Sequence, residues 1–320
     1  MQFLNGFLNN NFAKKEMTLK NLIHSGSVKN IYWVDAESVE FEFSDRVSVF
    51  DKPIGNEIPG KGETLCDTSC HWFKKLSNTG IPNHFIERTG LKSMRVKSVE
   101  IISDYSKIID GKTNHLIPLE FIVRHYCAGS LNDRLRSGKI APEEVGVQPN
   151  QAIEKGEKLP VPFFEFSTKL EPVDRFLELE EALEMARMDK SRLDEIKALC
   201  LKIDDLMEEG LVDTDLIHVD GKKEFGYDKA GTLIIIDVFG TADEDRYWNR
   251  KLYEERGECV ELSKEAIRQY YQESGYKEKL YNARKAGNPE PPIPNMPEEL
   301  VAEVSALYRS IADQIITKHH

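Results

Sequence analysis

Three things are scarce in this 320-residue chain: long apolar runs, positive charge and cysteine. No stretch approaches the roughly 18 uninterrupted apolar residues that a membrane-spanning helix needs, so a helical membrane protein is not expected. With 43 Lys and Arg against 55 Asp and Glu, the formal net charge is -12. That argues against a surface built to track nucleic acid or an anionic membrane, since both need clustered cations that release counterions. An anionic small substrate is still allowed, given a local basic site inside an acidic body. Five cysteines, Cys66, Cys70, Cys127, Cys200 and Cys259, form an odd, scattered set that argues against a disulfide framework and fits a reducing compartment. Cys66, Cys70 and His71 share helical spacing, but zinc needs further ligands and none sits nearby, so small buried side chains on a helix are expected. Near the N-terminus a Lys pair follows the apolar part, the reverse of a secretory signal, and the chain is expected in the cytoplasm.

What is present is ample for a core: 40% of the residues are hydrophobic and 31% charged. Residues 31–34 and 39–43 read as strands of a hairpin around Asp35-Ala36-Glu37-Ser38. A Pro- and Gly-containing loop follows, then a helix over 65–76 and strand-like runs at 84–87 and 94–102. Residues 116–126 are apolar at nearly every position, which suits a central strand buried on both faces. A short helix is expected at 131–135, a proline-rich surface excursion at 142–162 and one long helical stretch at 178–209. Residues 216–219 and 233–238 read as strands of one hairpin region separated by 222–232, and the remainder as mainly helical with a final amphipathic helix after the prolines of 289–297. Strands early and helices late predict an α+β fold of two packed lobes.

Several segments could carry chemistry. Ser25-Gly26-Ser27-Val28-Lys29 is a small-residue turn with a cation, able to cradle phosphate or simply to lead into a hairpin. Ser44-Asp45-Arg46 and Lys61 crowd a loop of hydroxyls and charges, equally compatible with substrate binding and with a solvated loop. Arg124 ends an apolar strand that runs through Gly129-Ser130 into a helix, an arrangement that needs an anionic ligand or a structural ion pair. Glu224 and Asp237 could face each other across neighbouring strands with a hard cation such as Mg²⁺ between them, or sit on a surface hairpin neutralised by Lys222 and Lys223. Arg246 lies among three acids, where a solvated charge pair is the simpler reading.

The order of these segments resembles the SAICAR synthetase family, whose sequences resemble Gly-Lys-Val-Arg-Asp-x-Tyr, Ser-Asp-Arg-x-Ser-x-Phe-Asp and Ile-Pro-x-Lys-Gly. Further blocks look alike: 116–124, Ala128-Gly129-Ser130, Ser167-Thr168-Lys169-Leu170-Glu171, Lys222-Lys223-Glu224-Phe225-Gly226, and Asp243 with Arg246-Tyr247-Trp248. The resemblance runs from about His24 to Trp248. It implies a two-lobed ATP-binding fold: an extension over 1–20, a β-rich lobe over 21–116, and a mixed lobe with long helices over 117–320. It implies an ATP-dependent carbon–nitrogen ligase of purine biosynthesis that joins L-aspartate to carboxyaminoimidazole ribonucleotide (CAIR) through an acyl phosphate.

By the same resemblance Gly26, Val28 and Lys29 would lie on the triphosphate, Leu116 and Leu119 would border the adenine, and Glu224 and Asp237 would hold Mg²⁺. Arg124, Ser130 and Arg246 would bind the ribonucleotide, and Ser44, Asp45, Arg46 and Lys61 would line the substrate loop. Lys169 and Asp174 would take the aspartate end, with Lys29, Lys222 and Arg246 as the catalytic cations. Partners would be small molecules, and a homo-oligomer is allowed. The chain departs from the family wording at Ser27 (usually Lys), Gly221 (often Thr), Val238 (often Glu), Val173 (often His) and over 240–245, where Thr-Pro-Asp-Ser-Ser is usual. These departures keep open a related acyl-phosphate ligase with another amine or acid, and a nucleotide-binding module without catalysis.

Overall fold

In a computed structural model that describes residues 21–148, 151–171 and 173–317, the chain folds around two antiparallel sheets. The extension expected over 1–20 lies outside the described residues. The N-terminal sheet holds β1 (Asn21–Ser25), β2 (Lys29–Trp33) and β3 (Ser38–Phe43). In β3 the alternation buries Phe41 and Phe43 and turns Glu40 and Glu42 away from the core. Asp35 fixes the turn before it, accepting from the Glu37 N–H and the Ser38 hydroxyl.

The chain then makes a separate two-stranded ribbon, β4 (Arg46–Val49) and β5 (Lys52–Glu57), where the sequence reading expected a loop. Val47, Val49 and Ile54 anchor it in the core, which is what turns a polar segment into strands. The helix α1 (Lys61–Asn78) buries Leu65, Trp72, Phe73 and Leu76 along one face and ends before Gly80, whose φ of 75° suits a helix C-terminus. Strands β6 (Phe85–Arg88) and β7 (Ser93–Lys97) complete the sheet in the order β1-β2-β3-β7-β6. The expected strand over 94–102 therefore stops at Lys97.

Strand β8 (His115–Tyr126) is the buried central strand that its composition predicts. Helix α2 (Gly129–Arg136) follows, then β9 (Lys158–Thr168), which pairs along β8. The excursion expected over 142–162 thus ends in a strand, and Val145, Val147 and Leu159 pack with Cys127, Leu131 and Ile140 in a small core of their own. The long helical stretch divides into α3 (Leu179–Ala186) and α4 (Lys190–Leu211). Arg187, at φ 48°, breaks the first, and the Asp189 carboxylate caps the second by accepting the Arg192 N–H at 2.8 Å.

Strand β10 (Leu216–Tyr227) runs eight residues past the expected 216–219 before turning into β11 (Leu233–Ile236). Strand β12 (Asp245–Asn249), absent from the sequence reading, pairs with the first half of β10. Helices α5 (Arg250–Arg256), α6 (Glu265–Glu273), α7 (Tyr276–Ala286) and α8 (Glu298–Thr317) close the chain. One apolar cluster runs through both halves, joining Phe43 and Phe73 to Phe121, Phe225 and Phe239, and α8 lies along α1.

Candidate active site

Along β8 the odd residues Ile117, Leu119, Phe121 and Val123 enter the main core, so the even residues Leu116, Glu120, Ile122 and Arg124 take the opposite face. That face forms the floor of an open cleft of about 990 Å³, walled by α2, α6 and residues 174–176. Of the two apolar residues expected beside an adenine, only Leu116 lies on this face. It packs with Ile234, Ile236, Val99 and Leu170, whereas Leu119 belongs to the core.

The register of three strands sets Arg124, Asp220 and Arg246 in one row, with Asp220 opposite both arginines. Asp220 Oδ2 lies 2.9 Å from Arg124 Nη1 and 2.5 Å from Arg246 Nη1. Arg124 also pairs with Glu165 at 2.6 Å and donates to the Ser130 hydroxyl at 3.1 Å. Arg246 reaches Glu265 at 3.2 Å and Glu261 at 3.4 Å. Both readings of Arg124 meet here, since its ion pairs are structural and its guanidinium still borders the cleft. Arg246 is buried rather than solvated. Gly129 lets α2 begin against it, because a Cβ there would stand 2.6 Å from Arg246 Nη2. Burial pushes the Glu261 carboxyl up to about 7, against the pull of Arg246.

A second group lies further along the same strands. Glu120 of β8 and Glu224 of β10 are direct cross-strand partners, a repulsive pairing made tolerable by Lys169, whose Nζ is 3.1 Å from one and 2.5 Å from the other. Lys222 adds a contact of 3.0 Å to Glu120 and one of 3.3 Å to Glu244. Asp237 is not opposite Glu224 as expected, because that place is taken by Ile236; it follows β11 at φ 60° and pairs with Lys29. Burial, reinforced by Asp237 and Glu120, pushes Glu224 up to about 7 even though Lys169 opposes it. Burial also works against the Asp237 carboxylate, but Lys29 and Lys169 outweigh it and hold that acid below its ordinary range.

The loop residues stand elsewhere. Ser44 donates its backbone N–H and its hydroxyl to the Val28 carbonyl, each at 2.8 Å, and Arg46 donates to the Gly26 carbonyl at 2.8 Å, so both brace the β1–β2 turn. Asp45 accepts the Gly62 N–H at 2.8 Å and pairs with Lys92 at 2.7 Å. Lys61, expected on the substrate loop, is instead sealed from solvent, 2.7 Å from Asp243, with the Tyr308 hydroxyl donating to the same carboxylate at 2.6 Å. Burial disfavours the Asp243 charge, but Lys61 and then Lys264 bring the acid down to about 2. Asp174 is exposed at the rim of the cleft, next to Val173.

Against this geometry, the chain matches the SAICAR synthetase family over residues 22–283. It belongs to that family. It is 47% identical over 294 residues to the phosphoribosylaminoimidazole-succinocarboxamide synthase of Thermoplasma acidophilum, spanning 92% of this chain and 98% of the relative. Its fold is similar to that of the Saccharomyces cerevisiae SAICAR synthase in complex with SAICAR, at a TM-score of 0.72 and 25% identity, over 96% of this chain and 99% of that one. A SAICAR synthetase in complex with ADP gives a TM-score of 0.62 at 25% identity, over 84% of this chain and 99% of that one.

Two departures from the family wording are one packing event. A Cβ on Gly221 would lie 1.9 Å from Asp245 Oδ2, and that oxygen is 2.7 Å from His218 Nε2. Gly221 thus makes room for a buried His218–Asp245 pair. Beside it a second buried set has Asp204 bound by Lys223 and, at 2.9 Å, by His125. Among the described residues, His125, Asp204 and His218 are the one group of three or more with metal-ligating spacing, but Lys223 already neutralises the shared carboxylate. Cys66 and Cys70 are buried in α1, as their spacing suggests.

Sequence reasoning gave no role to Glu120, Asp220 and Glu165 or to Lys264, Glu265 and Arg268, all of which line or brace this cleft. Glu120 carried a signal, being a carboxylate inside an otherwise apolar strand, which must find a cation. Lys264 and Arg268 lay beyond the matched motifs and had none.

Proposed function

We propose that the chain joins L-aspartate to CAIR with hydrolysis of ATP to ADP and phosphate, yielding SAICAR for purine synthesis. The observation that carries this reading is the presence, on one face of one sheet, of a cationic row at Arg124 and Arg246 beside the carboxylates of Glu120 and Glu224, with Asp237 just beyond the end of β11. The first suits an anionic ribonucleotide. The second, with Lys29 at the β1–β2 turn, suits a nucleotide triphosphate.

Chemically, a CAIR carboxylate oxygen takes the γ-phosphoryl group and ADP leaves; the aspartate amine then adds to the acyl carbon, phosphate departs with its electron pair, and the nitrogen gives up a proton. Lys29 and Lys222 would neutralise the phosphoryl oxygens as charge shifts onto the leaving group, and Arg124, Ser130 and Arg246 would orient the ribonucleotide. Lys264 and Arg268 extend that positive wall. Lys169 and the exposed Asp174 border the space left for the amine. Leu116, Ile234 and Ile236 form an apolar cluster that would border the adenine.

Glu224 and Asp237 fit Mg²⁺: a carboxyl raised first by its burial and then by Asp237, beside a half-buried carboxylate, is a donor set that a hard divalent cation would relieve. When bound there, Mg²⁺ would screen the polyphosphate. The five unpaired cysteines support a cytoplasmic placement, and no described helix is long and apolar enough to cross a membrane.

The test is phosphate release from ATP and Mg²⁺ with CAIR, with and without aspartate, together with the product mass. Aspartate-dependent succinocarboxamide establishes the reading. Release that ignores aspartate would favour a related ligase with another amine, a reading supported by the apolar, 70% exposed Val173 beside Asp174. Absence of turnover with retained ATP binding would favour a binding module.

A further inference from the structure

Residues 82–84 tie the two sheets together. Ile235 of β11 donates its N–H to the Pro82 carbonyl at 3.2 Å and accepts the His84 N–H at 3.1 Å, while Lys97 of β7 donates to the His84 carbonyl at 2.7 Å. One strand from each sheet therefore holds the His84 backbone. Its ring is buried beside the Phe41 and Phe73 rings, with centroids 5.6 and 5.0 Å away, and its Nε2 lies 3.0 Å from the Asp237 carbonyl oxygen. A carbonyl oxygen can only accept, so Nε2 carries a hydrogen and donates it.

Asp237 itself occupies the left-handed region at φ 60°, which is uncommon for a residue with a Cβ although Asp enters it more readily than most, and which a hydrogen bond to its backbone would stabilise. Were β11 simply to continue, residue 237 would take the face opposite Ile236 and its cross-strand partner Glu224. We propose that His84 is a positioning residue, whose hydrogen bond to the Asp237 carbonyl fixes the left-handed turn and so aims the Asp237 carboxylate at Lys29. The N-terminal sheet thereby sets the geometry of a group on the C-terminal one. This inference rests on the reading of Asp237 as a divalent-cation ligand.

The test compares Mn²⁺ binding, read by electron paramagnetic resonance in the presence of a non-hydrolysable ATP analogue, across the wild type and three variants. His84→Phe keeps the ring packing and removes the donor; His84→Gln restores an amide donor; Asp237→Asn removes the charged ligand. Calorimetry of the analogue without metal, and melting curves, accompany each. His84→Phe is expected to weaken Mn²⁺ roughly 10-fold or more, in line with the loss of outer partners at metal sites, while leaving metal-free analogue binding unchanged. His84→Gln is expected to recover most of the loss. If His84→Phe does not fold, His84→Leu carries the same comparison. Wild-type Mn²⁺ affinity in the donorless variant, with affinity lost in Asp237→Asn, overturns the role of His84 and leaves the metal reading standing. A His84→Gln variant as weak as the donorless one overturns the hydrogen bond as the cause. Unchanged Mn²⁺ binding in Asp237→Asn removes the metal reading and this proposal together.

Discussion

Replacing Lys169 with Met would leave Glu120 and Glu224 facing each other without the cation that lies 3.1 and 2.5 Å from them. Removing one partner of a buried ionic group costs on the order of 3 kcal/mol, because an uncompensated charge remains in a poor solvent. Burial is the largest cause of the shift in Glu224, which already titrates near 7 against an ordinary 4.5. At this site the folded protein therefore holds more protons than the unfolded chain between those values, and the Glu224 contribution to stability is lost as pH rises from about 4.5 to about 7. That difference corresponds to roughly 3 kcal/mol at neutral pH, as an order of magnitude. Without Lys169 the Glu224 carboxyl rises further, so the variant continues to lose stability above pH 7. Urea unfolding of both proteins across pH 5 to pH 8.5 measures this. The deficit of Lys169→Met is expected to be small in acid, to grow through neutrality and to shrink when Mg²⁺ is added. A deficit independent of pH would show that Lys169 contributes packing and not charge compensation.

Gly221→Thr should destabilise the fold by about 2 kcal/mol or more by driving a Cβ against Asp245, and Asp245→Ser should relieve part of that; a double-mutant cycle reading no coupling would refute the packing link. Arg246→Met should lower kcat/KM for CAIR by roughly 100-fold, about 2.7 kcal/mol, with the KM for ATP nearly unchanged, as steady-state kinetics would show. Tyr308→Phe removes a 2.6 Å donor from the buried Asp243 carboxylate and should cost about 1.5–3 kcal/mol in thermal or chemical unfolding, which checks that α8 is anchored to the site segment.

The sequence by itself determined the elements whose signals are local. Periodicity marks α1 and the central β8, because one buried face or two leave a repeating apolar pattern. Turn chemistry places the β2–β3 hairpin, and ordered motifs bring Arg124, Lys169, Glu224 and Arg246 to attention. Strands β9 and β12 were illegible for a common reason: each is polar or proline-bearing and becomes a strand only through a partner distant in the chain, while the polar β4 pairs with the adjacent β5 and owes its strand to the burial of Val47 and Val49. Only the tertiary structure decided the register that sets Asp220 between two arginines, displaces Asp237 from its expected place opposite Glu224 and puts Leu119 in the core. A one-residue change in pairing reverses which face a side chain takes, and nothing in the local sequence fixes that number. The burial of Lys61 belongs to the same class, since its partners Asp243 and Tyr308 arrive from two other regions of the chain.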